Sequence, residues 1–444
     1  MPLAPWLLES RIINKAVIEA LGVSPGTRAT QYSRAKMNIA FVGCGFVAAY
    51  YGDTLPNHPE LRPLAAFDIS PSRASAFSKR YNIPVAASYQ AILDNPDIDL
   101  VVNLTPPASH VEVSRAALLA GKHVYSEKPL SLEPAGAKEL VALAAKQGRL
   151  LAVAPCNFLG GSMQTLARLV REDVVGTPRL VYAEIDDGPI HQLPYSTWRS
   201  GAGAPWPAET EFRVGCVWEH AAYEVGFLTS VFGPAASVTS FSHTLVTDKM
   251  KEIAPQDLGP DFCVALIRFR SGVVARLTIG TVARRNRSMT ITGDKGILHV
   301  PEIWDYEAPV QFALSRGSTA IPASPLLLVT SPTTTTPERV ADSSPGVPMP
   351  ERGIQVDTPA DAPRQYPKAY RMDQCLGLAE LAAAIREKRR PRMAADHAFH
   401  VYEILQALDD SVAAPGHREI TSDFAPIDPM PPLQTAASDC TISW

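Results

Sequence analysis

Gly43-Cys44-Gly45-Phe46-Val47-Ala48 follows an apolar run ending at Val42 and opens a helical stretch. This G-x-G-x-x-G/A spacing suits a pyrophosphate. The first glycine permits a tight turn, the second lets backbone approach the phosphates, and Ala48 stays small so that helix and strand can pack. Cys44, Phe46 and Val47 belong to the same backbone stretch, whose N–H groups and helix dipole favour an anion. Asp68 ends the next apolar run. A carboxylate there accepts hydrogen bonds from adenosine ribose hydroxyls and repels a 2′-phosphate, which favours NAD over NADP. Arg73 and Ser70 lie close by and can soften that preference, so NADP stays possible.

A loop of this kind works only at the C-terminal edge of a parallel sheet. Five short, nearly all-apolar runs are present, at Asn38–Val42, Leu64–Ile69, Leu100–Leu104, His123–Ser126 and Leu150–Ala154. Amphipathic stretches lie between them, at Pro71–Tyr81, His110–Leu119 and Glu133–Lys146. Such alternation predicts strands covered on both faces by helices, an α/β Rossmann domain spanning residues 37–157. After Cys156 the pattern changes. A helix at Ser162–Glu172 and a strand at Arg179–Ile185 lead to a Pro/Gly/Trp-rich loop and a helix near Glu219–Val231. Phe262–Phe269 and Val273–Ile279 flank Ser271-Gly272, and Ser288–Thr292 and Gly296–Val300 flank Asp294-Lys295, two hairpin signals in succession. Residues 158–414 therefore read as an α+β domain with an open, mainly antiparallel sheet. They include a Pro/Ser/Thr-rich excursion near 322–367 and two returning helices at Met372–Lys388 and Asp396–Ser411. Residues 415–444 read as a C-terminal tail, with little regular structure after Arg418.

Thr105-Pro106-Pro107-Ala108-Ser109-His110, Ala120-Gly121-Lys122-His123-Val124 and Glu127-Lys128-Pro129 resemble the core strings of the glucose–fructose oxidoreductase / inositol dehydrogenase / rhizopine-catabolism (Gfo/Idh/MocA) family. The likeness runs from Met37 to about Val300 and resumes in the two C-terminal helices. It implies an NAD(P)-dependent dehydrogenase or reductase acting on sugars, polyols or nucleotide sugars, with substrate between the nicotinamide and the second sheet. It places Thr105, Pro106, His110, Glu127 and Lys128 along the cofactor, and makes Lys128 the central polar group beside nicotinamide and substrate. The chemistry agrees, since oxidising an alcohol releases a proton from oxygen that some side chain must manage. The family also carries an Asp and, four residues later, a His on one helical face. Aligned on the Phe232-Gly233 helix end, Glu219 falls on the first position and Tyr223 on the second. His220 is the alternative to Tyr223 if the helix is rotated. Asn157 and Arg199 fall where relatives place polar substrate contacts. The family also implies a homodimer or tetramer, assembled through the open sheet face.

With 444 residues and 46% hydrophobic content, the chain is long enough for two domains. A formal net charge of -4 offers no basic field for nucleic acid. Six cysteines without a C-x-x-C pair and ten scattered histidines predict neither a metal site nor a disulfide framework, and suit a reducing cytoplasm. No apolar run is long enough for a membrane span. Residues 1–36 lack the layout of a secretion signal. Their apolar residues recur at helical spacing, which predicts a docked helix, with a targeting or membrane-surface helix as the alternative. Three functions fit these residues. The first is a dehydrogenase or ketoreductase of a sugar-type alcohol. The second is an NAD-dependent glycosidase or eliminase using transient oxidation, which would cleave substrate without accumulating NADH. The third is a non-catalytic nucleotide-binding sensor, which would need neither Lys128 nor the polar pair at 219 and 223.

Overall fold

The structure, a computed structural model, describes residues 36–314, 327–329, 365–367 and 371–430. The expected N-terminal helix and most of the Pro/Ser/Thr-rich excursion lie outside these residues. The five apolar runs form β1 (Met37–Val42), β2 (Leu61–Phe67), β3 (Leu100–Asn103), β4 (His123–Ser126) and β5 (Leu151–Val153). All are parallel, in the order β2-β1-β3-β4-β5. In the inner strand β3 and in β5 every side chain is buried because helices cover both faces, while the edge strand β2 is only partly covered. The helices are α1 (Ala48–Thr54), α2 (Pro71–Tyr81), α3 (Tyr89–Leu93), α4 (His110–Leu119) and α5 (Pro134–Gln147). Asn82 and Gly148 end α2 and α5 in the left-handed conformation, the usual way to close a helix.

After α6 (Gly161–Arg171) the chain enters a larger sheet. Its strands are β6 (Pro178–Asp186), β7 (Ala235–His243), β8 (Phe262–Phe269), β9 (Val274–Gly280), β10 (Met289–Gly293), β11 (Gly296–Val300), β12 (Val310–Leu314), β13 (Leu327–Val329) and β14 (Gly416–Glu419). Only β6 and β9 pair in parallel, and both expected hairpins are present. One face packs on α7 (Ala208–Phe232) and the last helix α9 (Ala395–Asp409), whereas α8 (Cys375–Glu387) lies on the Rossmann domain, where a Cβ on Gly377 would lie 2.5 Å from the Tyr125 hydroxyl. Tyr182, Phe241 and Leu266 stay exposed on the other face.

Two departures from the sequence reading matter. First, the C-terminal tail opens with a strand, since residues 416–419 add β14 to the edge at β7. Neither strand shows a hydrophobic alternation. In β7 the inward positions include Ser240 and Ser242, whose hydroxyls donate to the α9 carbonyls of Ala407 and Leu408. Buried hydroxyls satisfied by a helix end leave no apolar period to read.

Second, the helix expected near Glu219 begins at Ala208 and is broken at Gly215, where φ is +80°. A Cβ there would lie 2.7 Å from Pro260, and the next N–H, of Cys216, donates to the Pro260 carbonyl at 2.7 Å. Only glycine meets both demands. The break turns residues 208–214 away from the axis of the longer segment.

The segment leading into α8 is tied to the Rossmann domain by His58. Its Nε2 lies 3.0 Å from Asp373 and its Nδ1 3.3 Å from Glu60. Burial works against the charged ring, but the two carboxylates outweigh it and raise His58 to about 9. The folded chain therefore holds this proton more tightly than the unfolded chain, whose histidine titrates near 6.5. The stabilisation is complete below that value and is lost as pH rises through about 9. Denaturant unfolding should show a loss of about 2–3 kcal/mol between neutral pH and about pH 10 that His58→Gln lacks. Equal losses in both proteins would remove His58 from this role.

Candidate active site

The β1–α1 loop carries the expected features. Gly43 has φ +95°, and a Cβ on it would lie 2.5 Å from the Leu104 carbonyl oxygen, so the loop touches the end of β3. A Cβ on Gly45 would meet nothing within 4 Å, so this part of the loop faces open space. Ala48 is fully buried. A turn closed on one side and open on the other fits a dinucleotide pyrophosphate. Phe46 and Val47 are half-buried there, and the Phe46 ring packs edge-on against Tyr50.

Several of the predicted cofactor residues brace this loop. The Cys44 N–H donates to Asp68 Oδ2 at 2.8 Å, and burial with the nearby Asp68 charge pushes its thiol up to about 12. Asp68 Oδ1 accepts from the Ser70 N–H and from Arg73 at 2.7 Å. Burial opposes the charge on Asp68, yet Arg73 and the two N–H groups hold its carboxyl below the usual range. Asp68 thus ties the loop to the end of β2, with Arg73 lying over it, half exposed. Thr105 Oγ1 donates to Asn103 at 2.6 Å, and Pro106 leads into the short turn Pro107–Ser109. The buried His110 sits with Nε2 2.8 Å from the Thr105 carbonyl and Nδ1 2.7 Å from that of Pro129, stapling two loops of this edge. Glu127 accepts from Tyr51 of α1 at 2.6 Å and from the Lys128 N–H at 3.0 Å, which fixes the backbone at Lys128. The Lys128–Pro129 peptide is cis.

Lys128 and Glu219 meet. Nζ lies 2.5 Å from Oε2, and both side chains are mostly buried. Burial disfavours the ammonium, but Glu219, with Tyr223, Glu211 and Glu127 around it, holds Lys128 well above the ordinary lysine range. Glu219 is likewise opposed by burial and held below the carboxylate range by Lys128. The pair is therefore ammonium and carboxylate. Glu211 completes the cluster. Burial and the Glu219 charge push its carboxyl well above the usual range, so it keeps its proton and shares it with Glu219. Two carboxyls at one site do not both ionise readily. In an unbroken helix Glu211 and Glu219 would be about 12 Å apart along the axis. The Gly215 break brings them together, and that glycine within a helical pattern is the one sequence signal for Glu211.

His220 points to the second sheet. Its Nε2 lies 2.9 Å from Asp187 Oδ2, and Arg287 donates to the other oxygen through Nε at 2.6 Å. Despite burial, His220 and Arg287 hold Asp187 far below the carboxylate range. Arg287 lies 3.7 Å over the Trp304 ring, and Trp304 packs at 4.6 Å on Tyr223. Tyr223 packs on Trp304 and lies near enough for its charge to act on Lys128. Glu224 is fully buried, and burial pushes its carboxyl well above the usual range. Asn157 is buried and donates to the Tyr223 carbonyl at 3.2 Å, bracing α7. Arg199 is exposed, with its guanidinium on the carbonyls of Ser196 and Trp198 in its own loop.

Two recesses meet at the Lys128–Glu219 pair. One is mostly apolar and lined by Lys128, Leu130, Phe158, Ala222, Met393 and Leu405 among others. The other combines Glu211, Glu219 and His220 with Ile190, Trp206 and Phe212.

A dinucleotide loop on a parallel sheet, with a polar cluster on the helix that covers an open second sheet, defines a nicotinamide-dependent oxidoreductase of two-domain type. The chain belongs to the Gfo/Idh/MocA oxidoreductase family: residues 37–154 match its NAD-binding Rossmann-fold domain and residues 163–299 its C-terminal domain. An uncharacterized oxidoreductase of Synechocystis is 26% identical over 272 residues, covering 59% of this chain and 71% of that protein. Trans-1,2-dihydrobenzene-1,2-diol dehydrogenase of Mus musculus is 24% identical over 281 residues, covering 62% and 76%. Among solved structures, levoglucosan dehydrogenase in complex with NADH and levoglucosan shares the fold at TM-score 0.69 and 16% identity, covering 87% of this chain and 100% of that one.

Proposed function

We propose that this oxidoreductase uses NAD to interconvert a secondary alcohol and a ketone on a sugar or polyol. The observation that carries this reading is the buried Lys128–Glu219 pair with the proton-bearing Glu211 behind it. Bound nicotinamide supplies a hydride acceptor or donor. The chain manages the proton. In the reducing direction the Lys128 ammonium donates to the oxygen that gains negative charge, and Lys128 is recharged from the proton shared by Glu211 and Glu219. In the oxidising direction the hydroxyl proton returns along the same groups. Two similar proteins, trans-1,2-dihydrobenzene-1,2-diol dehydrogenase and levoglucosan dehydrogenase, agree with the class.

Incubation with NAD and a panel of sugars and polyols should accumulate reduced nicotinamide. Substrate cleavage without that accumulation would instead favour the eliminase reading, for which the neutral Glu211 is a ready acid. Tyr223→Phe is expected to cost about tenfold or more in turnover and His220→Ala less, because His220 is held by Asp187 whereas Tyr223 stands beside Lys128. The reverse ranking would assign the acid/base role to His220.

Tyr182, Phe241 and Leu266 on the open sheet face support assembly of two copies through that face. Sedimentation as a monomer would contradict it. Among the described residues the five cysteines are all free and buried, which fits a reducing compartment such as the cytoplasm, and no described helix is long and apolar enough to cross a membrane. Disulfides in the protein isolated from its native cell would argue against that compartment.

A further inference from the structure

The loop between β7 and β8, residues 244–261, carries a buried ion pair that the proton chemistry does not use. Lys249 Nζ lies 3.1 Å from Asp261 Oδ2, and both side chains are almost fully buried. Asp261 also accepts from the Leu245 N–H at 2.7 Å and the Val246 N–H at 3.0 Å. Its backbone is held as well, since its N–H donates to the His243 carbonyl and its carbonyl accepts from the Thr281 N–H. Both ends of the loop are therefore tied to one carboxylate. Lys249 lines the recess that holds Glu211 and Glu219, yet its ammonium is spent on Asp261 and on the Gly259 carbonyl at 2.9 Å. A buried pair with these added hydrogen bonds fixes geometry more surely than it adds stability.

Gly259 and Pro260, next to Asp261, grip the Gly215 break from both sides. Before the break, the Phe212 carbonyl accepts from the Gly259 N–H at 2.9 Å. After it, the Cys216 N–H donates to the Pro260 carbonyl at 2.7 Å. A Cβ on Gly259 would lie 2.6 Å from the Gly215 nitrogen, so the two backbones meet directly. Phe212, beside Glu211, packs in a small apolar cluster with Ile190, Ile253 and Leu258, and the last two belong to the same loop. The contacts that turn residues 208–214, and Glu211 with them, toward Glu219 are thus contacts with the segment that Lys249 and Asp261 hold.

Resting on the alcohol-oxidoreductase reading above, we propose that Lys249 and Asp261 are positioning residues, which clamp Gly259-Pro260 into the Gly215 break and so keep Glu211 against Glu219. The test joins hydrogen exchange with turnover, on the full chain. Lys249→Met removes the clamp, and Lys249→Met/Asp261→Asn does so without leaving a buried carboxylate unpaired. In both, amide exchange in peptides spanning residues 208–216 and 256–261 should quicken about tenfold or more, while that of the Rossmann strands stays unchanged. Turnover of the sugar or polyol that reduces NAD fastest in the panel above should fall about tenfold, with NADH affinity unchanged. In a Glu211→Ala background the same substitutions should cost no further turnover, because they act only through Glu211. Absence of local quickening, quickening equal across the chain, undiminished turnover, or a loss that adds to that of Glu211→Ala overturns the proposal. If the wild type oxidises no alcohol, the oxidoreductase reading falls, and the exchange pattern alone still decides whether the clamp exists.

Discussion

Lys128→Ala is expected to lower turnover by about three orders of magnitude while leaving NADH affinity nearly unchanged. The magnitude follows from losing a proton donor and an electrostatic contact in one step, each commonly worth about 10²–10³-fold. The selectivity follows from the geometry. The backbone that shapes the dinucleotide loop is fixed by Gly43, Asp68, His110 and Glu127, none of which depends on the Lys128 ammonium. Steady-state turnover and a separate NADH titration check the two halves. Near-normal turnover in this variant would remove Lys128 from the reaction. A collapse of NADH binding would make its role structural instead.

Glu219→Gln is expected to be the next most damaging change, at about 10²-fold in turnover, and to alter the pH profile as well. The sign follows from the forces on Lys128. Burial pushes the ammonium toward its neutral form, and the Glu219 carboxylate outweighs it. Neutralising that carboxylate leaves burial with less opposition, so the Lys128 pKa falls. The alkaline limb of ketone reduction, which needs the ammonium, should move to lower pH by about one to three units, the scale for removing an adjacent opposite charge. Leaving a buried ammonium with its main partner gone should also cost stability, about 3–5 kcal/mol if the site does not relax. An unmoved alkaline limb would show that the pair does not set the lysine's charge.

Much of this arrangement is written locally. The glycine turn, Asp68 and the apolar strands are short-range patterns, and each is found where the spacing predicts it. The pairing of Lys128 with Glu219 across 91 residues was legible only through the family resemblance, because nothing near either residue specifies the other. Glu211 was not legible. Its approach to Glu219 depends on the break at Gly215, which requires Pro260 to close against that glycine, a contact made by a distant loop. The grip of Asp187 and Arg287 on His220 is hidden for the same reason, since the three come from separate elements. Several residues expected along the cofactor are braces as well. Cys44, Glu127 and His110 spend their polar groups on the protein itself, a distinction between touching and shaping that motif spacing does not make.

We propose that this chain binds its nicotinamide dinucleotide on the loop Gly43–Ala48, with Asp68 setting the preference. Energy transfer from the chain's six tryptophans to a reduced nicotinamide reports that binding directly. Titration of cofactor-stripped protein should give saturable transfer with both NADH and NADPH, NADH the tighter. Tighter binding of NADPH would mean that Arg73 turns from Asp68 to the 2′-phosphate. No saturable transfer with either dinucleotide would contradict the account at its base.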